Sequence, residues 1–252
     1  MITPLQKAQL ISFMSGEDLS KCRLYPEDIV VDEKLLQDYV ARLEQGEPLS
    51  RITGKRWFWR DEFFIADALE PRQDSETLIE AVLQLYPDRG ECLRILDIGT
   101  GSGCLLLSLL REYGNACGLG VDVSESALAT AWKNAQQLGI EAEFQHYDLY
   151  SSLPEEKFDI IVSNPPYIRA GDIAELEDNV KVYDPHLALD GGEDGLDAYR
   201  AIFEHMPPFT HLFLEIGQGQ ESDIADIAKN KGFALHSSYE DLSGIIRIIV
   251  FK

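Results

Sequence analysis

The chain has 252 residues, 45% of them hydrophobic and 10% aromatic, enough for one good-sized core or a compact core with a small appendage, which excludes disorder. Its 44 acidic and 22 basic residues leave a formal charge of -22, concentrated after residue 70, and such a charge repels a phosphate backbone. Direct nucleic-acid binding is therefore not expected.

The four cysteines, Cys22, Cys92, Cys104 and Cys117, form no C-x-x-C pair and have no histidine at metal-ligand spacing, so reduced, mostly buried thiols and no metal are expected. Residues 1–15 lack the basic, apolar and small-residue regions of a signal peptide. No stretch approaches the ~20 apolar residues of a membrane span. A cytoplasmic protein without a membrane partner is the expectation.

Residues 4–46 read as helices. Leu35, Tyr39 and Leu43 recur at helical spacing behind an Asp32 cap, and Gly46 ends the run. From Arg51 to Ile65, Trp57, Phe58, Trp59, Phe63 and Phe64 give an aromatic β-rich stretch with Arg60-Asp61-Glu62 as a hairpin turn. Pro71 ends it. Asp74 is placed to cap the next helix, whose apolar face is Leu78, Ile79, Val82 and Leu83.

After Gly90, short apolar strands alternate with helical stretches, the signature of a parallel sheet covered by helices. The expected strands are 93–97, 118–122, 142–145, 158–163, 211–215, 233–236 and 245–251. The gap before the last strand is too short for a crossover helix, so the final pair should be antiparallel. The fold class is α/β: a doubly wound, mostly parallel seven-stranded sheet with one reversed strand near its edge. The expected domains are a helical one over 1–48, a β-hairpin connector over 49–70 and a catalytic domain over 71–252.

Asp97-Ile98-Gly99-Thr100-Gly101-Ser102-Gly103 lies where the first sheet strand should turn into its helix, at the carboxyl edge where such sheets bind ligands. The third glycine of a dinucleotide fingerprint is replaced by Cys104, and no lysine follows as in a phosphate loop. What remains suits a ligand with a positive group and no phosphates. Asp122 closes the second strand, where a carboxylate can take both hydroxyls of a ribose; Ser124 is the better cap for the helix that follows. Asp148, after the third strand, could accept from an adenine amino group or simply make a turn.

Asn164-Pro165-Pro166-Tyr167 ends the fourth strand. The prolines fix the backbone and withhold donors, so the Asn164 side-chain oxygen and the Pro165 carbonyl can hold the two N–H groups of a planar amino or amide nitrogen and aim its lone pair at an electrophile. The Tyr167 ring can pack over such a flat group. Asn164, Pro165 and Tyr167 are the catalytic candidates.

With these motifs the sequence resembles the class I S-adenosylmethionine-dependent methyltransferases, and within them the N5-glutamine methyltransferases of peptide chain release factors. Two flanking signatures, Pro71-Arg72-Gln73-Asp74-Ser75-Glu76 and Leu187-Ala188-Leu189-Asp190-Gly191-Gly192-Glu193-Asp194-Gly195-Leu196, carry the same resemblance, which runs from about Gln45 to the end. The related glutamine methyltransferases of a ribosomal protein share the Asn-Pro-Pro-Tyr motif but differ after the proline-arginine pair.

The resemblance implies S-adenosylmethionine as cofactor, leaving as S-adenosylhomocysteine. It implies cofactor contacts from Asp97, Gly99, Thr100, Gly101, Ser102, Gly103, Asp122, Asp148, Leu149 and Asn164. Asn164, Pro165, Pro166 and Tyr167, with Arg72, are implied to hold the glutamine of a Gly-Gly-Gln loop of class I release factors, modified by a monomer. Leu149 stands where the family often has an aromatic residue, and the helical lead-in is short. Arg51, Lys55, Arg56 and Arg60 around Trp57–Trp59 are read either as a partner-facing patch or as solvated charges over packed aromatics. Rival functions are methylation of a ribosomal-protein glutamine, methylation of adenine in nucleic acid, which the net charge opposes, and a non-enzymatic cofactor-binding module.

Overall fold

The structure, a computed structural model, describes residues 2–252. It divides into two compact units, one comprising the described residues up to Lys55 with Leu176–Tyr183, the other Arg56–Glu175 with Asp184–Lys252.

In the first unit α1 (Pro4–Ser15) begins at a capping box: the Gln6 N–H donates to Thr3 Oγ1 (3.2 Å) and the Thr3 N–H to Gln6 Oε1 (2.8 Å). Then come α2 (Leu19–Leu24), α3 (Glu33–Glu44) and α4 (Leu49–Thr53). Asp32 caps α3 as its position predicts, accepting from the Lys34 and Leu35 N–H groups. The core side of α3 differs from the expected stripe. Leu36 is buried with Ala8, Leu10, Ile11, Cys22 and Ile52, while Leu35 is 40% exposed; at 100° per residue, Tyr39, Val40 and Leu43 all lie within about 60° of Leu36, whereas Val40 is about 140° from Leu35.

The hairpin is β1 (Lys55–Phe58) and β2 (Asp61–Phe64). Its turn is Trp59–Arg60, one residue earlier than expected. Trp59 takes a left-handed conformation (φ 56°), its N–H donating to Glu76 Oε1 (2.9 Å) and its indole N–H to Glu112 Oε1 (2.8 Å). This tethering releases Asp61 and Glu62 into the strand. Phe58 and Phe63 are buried edge to face, ring centroids 6.3 Å apart.

A 3₁₀ turn (Gln73–Ser75) leads into α5 (Glu76–Leu85). Asp74 does not cap it: its carboxylate lies 3.3 Å from the Arg247 guanidinium, an ionic partner that replaces the backbone N–H groups of the helix. The sheet strands are β3 (Arg94–Ile98), β4 (Cys117–Asp122), β5 (Glu143–His146), β6 (Phe158–Ser163), β7 (Phe209–Glu215), β8 (Leu235–Glu240) and β9 (Ile246–Phe251). Between them run α6 (Cys104–Glu112), α7 (Glu125–Leu138), α8 (Asp178–Tyr183, grouped with the first unit), α9 (Asp197–His205) and α10 (Glu221–Asn230).

The sheet order is β5-β4-β3-β6-β7-β9-β8, with β9 running opposite to the other six strands, so the α/β, seven-stranded, mostly parallel expectation holds. The residue alternation of each central strand divides two apolar layers. Ile95, Ile160, Val162, Ile248 and Val250 face one, with Leu78 and Val82 of α5 and Leu106 and Leu109 of α6. Leu96, Ile98, Ile161, Ile249 and Phe251 face the other, with Tyr199 and Ile202 of α9 and Ile224 of α10.

β8 begins two residues later and ends four residues later than expected. Asp241 closes the β8–β9 turn by accepting from the Ser243 (2.7 Å) and Ile245 (3.1 Å) N–H groups, so pairing reaches Glu240. The order reverses between β3 and β6, which places a crevice at their carboxyl ends.

Candidate active site

At the end of β3 the chain turns sharply. The Gly99 and Thr100 N–H groups donate to the Val121 carbonyl (2.8 and 3.0 Å) and the Gly101 N–H to Asp122 Oδ2 (2.9 Å). Gly99, Gly101 and Gly103 all have φ between 55° and 78°, a region costly to residues with a Cβ. Gly103 begins α6 against Ala131, where an added Cβ would meet the Ala131 Cβ at 3.1 Å. Fully buried Asn134 of α7 ties the loop to the hairpin: its Nδ2 donates to the Ser102 (2.8 Å) and Phe64 (2.9 Å) carbonyls and its Oδ1 accepts the Phe64 N–H (2.8 Å).

The loop borders a cleft with a cavity volume of about 280 Å³. Gly99, Thr100, Gly101, Ser102, Asp122, Asp148, Leu149, Asn164, Pro166 and Arg72 are on its wall, whereas Asp97, Gly103, Pro165 and Tyr167 lie behind it. Asp97 is completely buried; Oδ2 accepts the Thr100 hydroxyl (2.7 Å), while Oδ1 has no partner. Burial pushes its carboxyl up to about 7.

Asp122 accepts the Gly101 N–H on one oxygen and the Ser124 N–H (2.9 Å) on the other. Each oxygen keeps a lone-pair direction, so the carboxylate both holds the loop and can still accept from a diol. Ser124 caps α7 through the Ala127 N–H (3.2 Å). Asp148 makes a local turn, accepting the Tyr150 N–H and the Ser151 hydroxyl, both at 2.9 Å. Leu149 adds apolar wall against the second layer, beside Tyr147 and Leu153.

The Asn164–Tyr167 loop is held from three sides. Asn164 Nδ2 donates to Ser75 Oγ (3.2 Å), leaving Oδ1 as the side chain's acceptor. Gln220 pins the far end, its Nε2 donating to the Tyr167 carbonyl (3.1 Å) and to the Gly195 carbonyl (3.3 Å). The 187–196 segment runs alongside, with the Ile168 N–H on the Leu189 carbonyl (3.1 Å) and the Gly191 N–H on the Ile168 carbonyl (2.8 Å). The Pro165 and Pro166 carbonyls receive no hydrogen bond among the described residues.

Tyr167 turns inward, its hydroxyl 3.4 Å from Oε1 of fully buried Glu215, and burial raises its phenol well above the usual range. Burial also lifts the Glu215 carboxyl to about 7. Ser75, Glu215, Gln220 and Asn134 were not evident from the sequence, because each acts through approach of distant segments. Only the serine within the Pro71–Glu76 signature carried any local signal.

Arg72 forms an ion pair with buried Asp184. Arg56 pairs with buried Glu70 (3.2 Å) and Arg60 with Glu112 (3.2 Å), so these two cations are balanced by carboxylates of their own unit. Trp57 remains 66% exposed beside them. All four cysteines are free thiols, but the expectation that they are mostly buried fails: only Cys22 is buried, Cys104 is part-exposed, and Cys92, two residues before β3, and Cys117, the first residue of β4, are exposed.

A family model described as "Methyltransferase small domain" matches residues 73–181. A protein of Rhodospirillum rubrum named release factor glutamine methyltransferase is 44% identical over 228 residues, 88% of this chain and 69% of that protein. One of the same name from Agrobacterium fabrum is 37% identical over 263 residues, covering 99% and 90%. The chain belongs to the release factor glutamine methyltransferase family. It is thus an S-adenosylmethionine-dependent methyltransferase. A solved methyltransferase from Pyrococcus furiosus has the same fold, with TM-score 0.52 at 16% identity over 85% of this chain and 98% of that one. No helix among the described residues is long and apolar enough to cross a membrane.

The cleft of this family member fits S-adenosylmethionine in its donor and acceptor chemistry. The unpartnered, buried Asp97 Oδ1 suits a cationic group above the loop, the spare Asp122 lone pairs suit a ribose, and the apolar wall at Val121, Leu149 and Leu153 suits a base.

Proposed function

We propose that this methyltransferase modifies the side-chain amide nitrogen (N5) of the glutamine in the Gly-Gly-Gln loop of peptide chain release factors, as a cytoplasmic monomer. The observation that carries the reading is the orientation of Asn164: with Nδ2 committed to Ser75, its Oδ1 is left as an acceptor on the cleft wall, next in the chain to a Pro165 carbonyl that receives no hydrogen bond among the described residues. A site made of acceptors selects an NH2 group. A carbonyl oxygen in the same place would meet only repulsive lone pairs.

In this reading Asn164 Oδ1 and the Pro165 carbonyl accept the two amide N–H groups, which disfavours the planar, delocalised nitrogen and turns its lone pair outward. The cofactor supplies an electrophilic methyl group on a sulfonium, already a good leaving group. Asp97, the Gly99–Gly103 loop and Asp122 hold it, and Asp148 and Leu149 border its base. Positioning accounts for most of the rate enhancement. As charge develops on the attacking nitrogen its N–H groups become stronger donors, so both acceptors bind the transition state more tightly than the ground state. Pro166 stiffens the loop, Tyr167 anchors it to Glu215, and Arg72 shapes the rim from its ion pair with Asp184.

Incubation with methyl-labelled S-adenosylmethionine and either an intact release factor or an oligonucleotide tests the proposal. Label on the release factor, lost when its Gly-Gly-Gln glutamine is changed to alanine, is expected. Label on the oligonucleotide alone would overturn it.

A further inference from the structure

We propose that Gln220, which lies outside the cleft, is a positioning residue for methyl transfer: its side-chain amide ties the Tyr167 end of the Asn164–Tyr167 loop to the 187–196 segment and so sets where the Pro165 carbonyl stands. The proposal rests on the reading of that loop as the acceptor site for the substrate NH2 group.

Gln220 directly precedes α10, but its side chain makes no cap for that helix and reaches instead to three backbone groups. Its Oε1 accepts the Gly217 N–H (2.9 Å). A backbone N–H only donates, so this contact fixes which end of the amide is oxygen and leaves Nε2 as the donor end. Nε2 donates to the Tyr167 carbonyl (3.1 Å) and to the Gly195 carbonyl (3.3 Å). Among the described residues neither carbonyl receives another hydrogen bond, so loss of this amide strands two part-buried acceptors.

The junction around the amide leaves no room for further side chains. A Cβ built on Gly217 would lie 2.7 Å from Gln220 Oε1 and 3.2 Å from the Tyr167 ring, and one built on Gly191 would lie 2.9 Å from the Pro166 carbonyl oxygen. This close approach lets one side chain bridge the turn before α10, the Asn164–Tyr167 loop and the residues before α9. The 187–196 segment is joined to the chain at Ile168 through Leu189 and Gly191; Gln220 fastens its other end. Both walls that meet there face the cleft, Asn164 and Pro166 from the loop, Leu187, Ala188 and Asp190 from the segment. Pro165 and Pro166 have fixed φ, so a shift at the Tyr167 carbonyl passes to the Pro165 carbonyl with little damping.

Gln220, Tyr167 and Gly195 are not on the cleft wall. The Gly99–Gly103 loop is held by Val121, Asp122 and Asn134 instead. Loss of the Gln220 amide should therefore disturb the substrate side and spare the cofactor side, a split that a general loss of stability does not produce.

The test compares Gln220→Glu, Gln220→Met and Asn164→Ala with the native enzyme. Glutamate keeps an acceptor for the Gly217 N–H but sets an oxygen against two carbonyl oxygens; methionine keeps the length without a donor. Steady-state kinetics with an intact release factor gives kcat and KM, calorimetry gives the affinity for S-adenosylhomocysteine, and urea unfolding gives the stability of each variant. Gln220→Glu should lower kcat about 10²-fold and Gln220→Met about 10-fold, with KM and the S-adenosylhomocysteine affinity unchanged. If Gln220→Glu fails to fold, Gln220→Met decides. Native kcat in both Gln220 variants while Asn164→Ala is inactive, a rise in KM at native kcat, or a fall in kcat matched by an equal loss of S-adenosylhomocysteine affinity would overturn the positioning role alone. Native turnover in Asn164→Ala would overturn the functional reading and this proposal with it.

Discussion

Gly195 lies outside the cleft wall, yet its replacement should damage catalysis. Its backbone is left-handed (φ 77°), and a Cβ built there would lie 2.5 Å from the Tyr167 carbonyl oxygen and 2.9 Å from Gln220 Nε2. An alanine therefore brings two costs. The backbone strain is roughly 1–2 kcal/mol. The clash requires the end of the Asn164–Tyr167 loop to retreat by about 1 Å to reach a van der Waals separation of ~3.5 Å, and a displacement of that size at a positioning element costs about 10²-fold in rate.

Gly139 provides the control. It ends α7 with φ 65°, and an added Cβ meets nothing within 4 Å, so Gly139→Ala carries the strain without the clash. Steady-state kinetics with a release factor, beside denaturant unfolding, separates the two. Gly139→Ala should lose roughly 1–2 kcal/mol and Gly195→Ala at least as much, and only Gly195→Ala should lose about 10²-fold in kcat. Equal kcat in the two variants would refute the claim that the 187–196 segment sets the position of the loop.

Three further outcomes are expected. Burial raises the carboxyls of Asp97 and Glu215 to about 7 in the folded chain, well above the ordinary carboxylate range. The folded chain thus holds protons that the unfolded chain has released, and stability falls as pH rises from the unfolded values through 7. Unliganded protein should be about 1–3 kcal/mol more stable to urea at pH ~6 than at pH ~8, a slope that Asp97→Asn reduces; a stability that rises over that interval would contradict it. Arg72→Ala removes the cation beside buried Asp184 and, since Arg72 is itself part-exposed, should cost about 1–3 kcal/mol in the unfolding free energy; an unchanged urea midpoint would count against the pair. Asn134→Leu strands the Ser102 and Phe64 backbone groups and should destabilise by about 2–4 kcal/mol, measured by thermal unfolding, with a loss below about 0.5 kcal/mol ruling out that tie.

The architecture was legible where apolar strands carried their own signal. Ile95, Leu96 and Ile98, interrupted only by Asp97, and the run Ile160–Val162 are buried on both faces and read as apolar strands. Leu235–Glu240 is an edge strand with mostly polar, exposed side chains, so its limits came from the Asp241 turn and not from hydrophobicity. The glycine loop and the proline pair stood out because backbone conformation restricts residue choice there. Asp74 misled because a cap and an ion-pair partner look alike in sequence, and Arg247, which decided between them, is distant in the chain. Ser75, Gln220 and Glu215 are ordinary residues whose roles exist only once the turns before α5 and α10 and the end of β7 meet the Asn164 loop.

The most direct measurement is a crystal structure of the enzyme with S-adenosylhomocysteine and a release-factor peptide bearing Gly-Gly-Gln. The account predicts the glutamine Nε2 within hydrogen-bond reach of both Asn164 Oδ1 and the Pro165 carbonyl. A glutamine bound with its oxygen toward that pair, or seated away from it, would contradict the account.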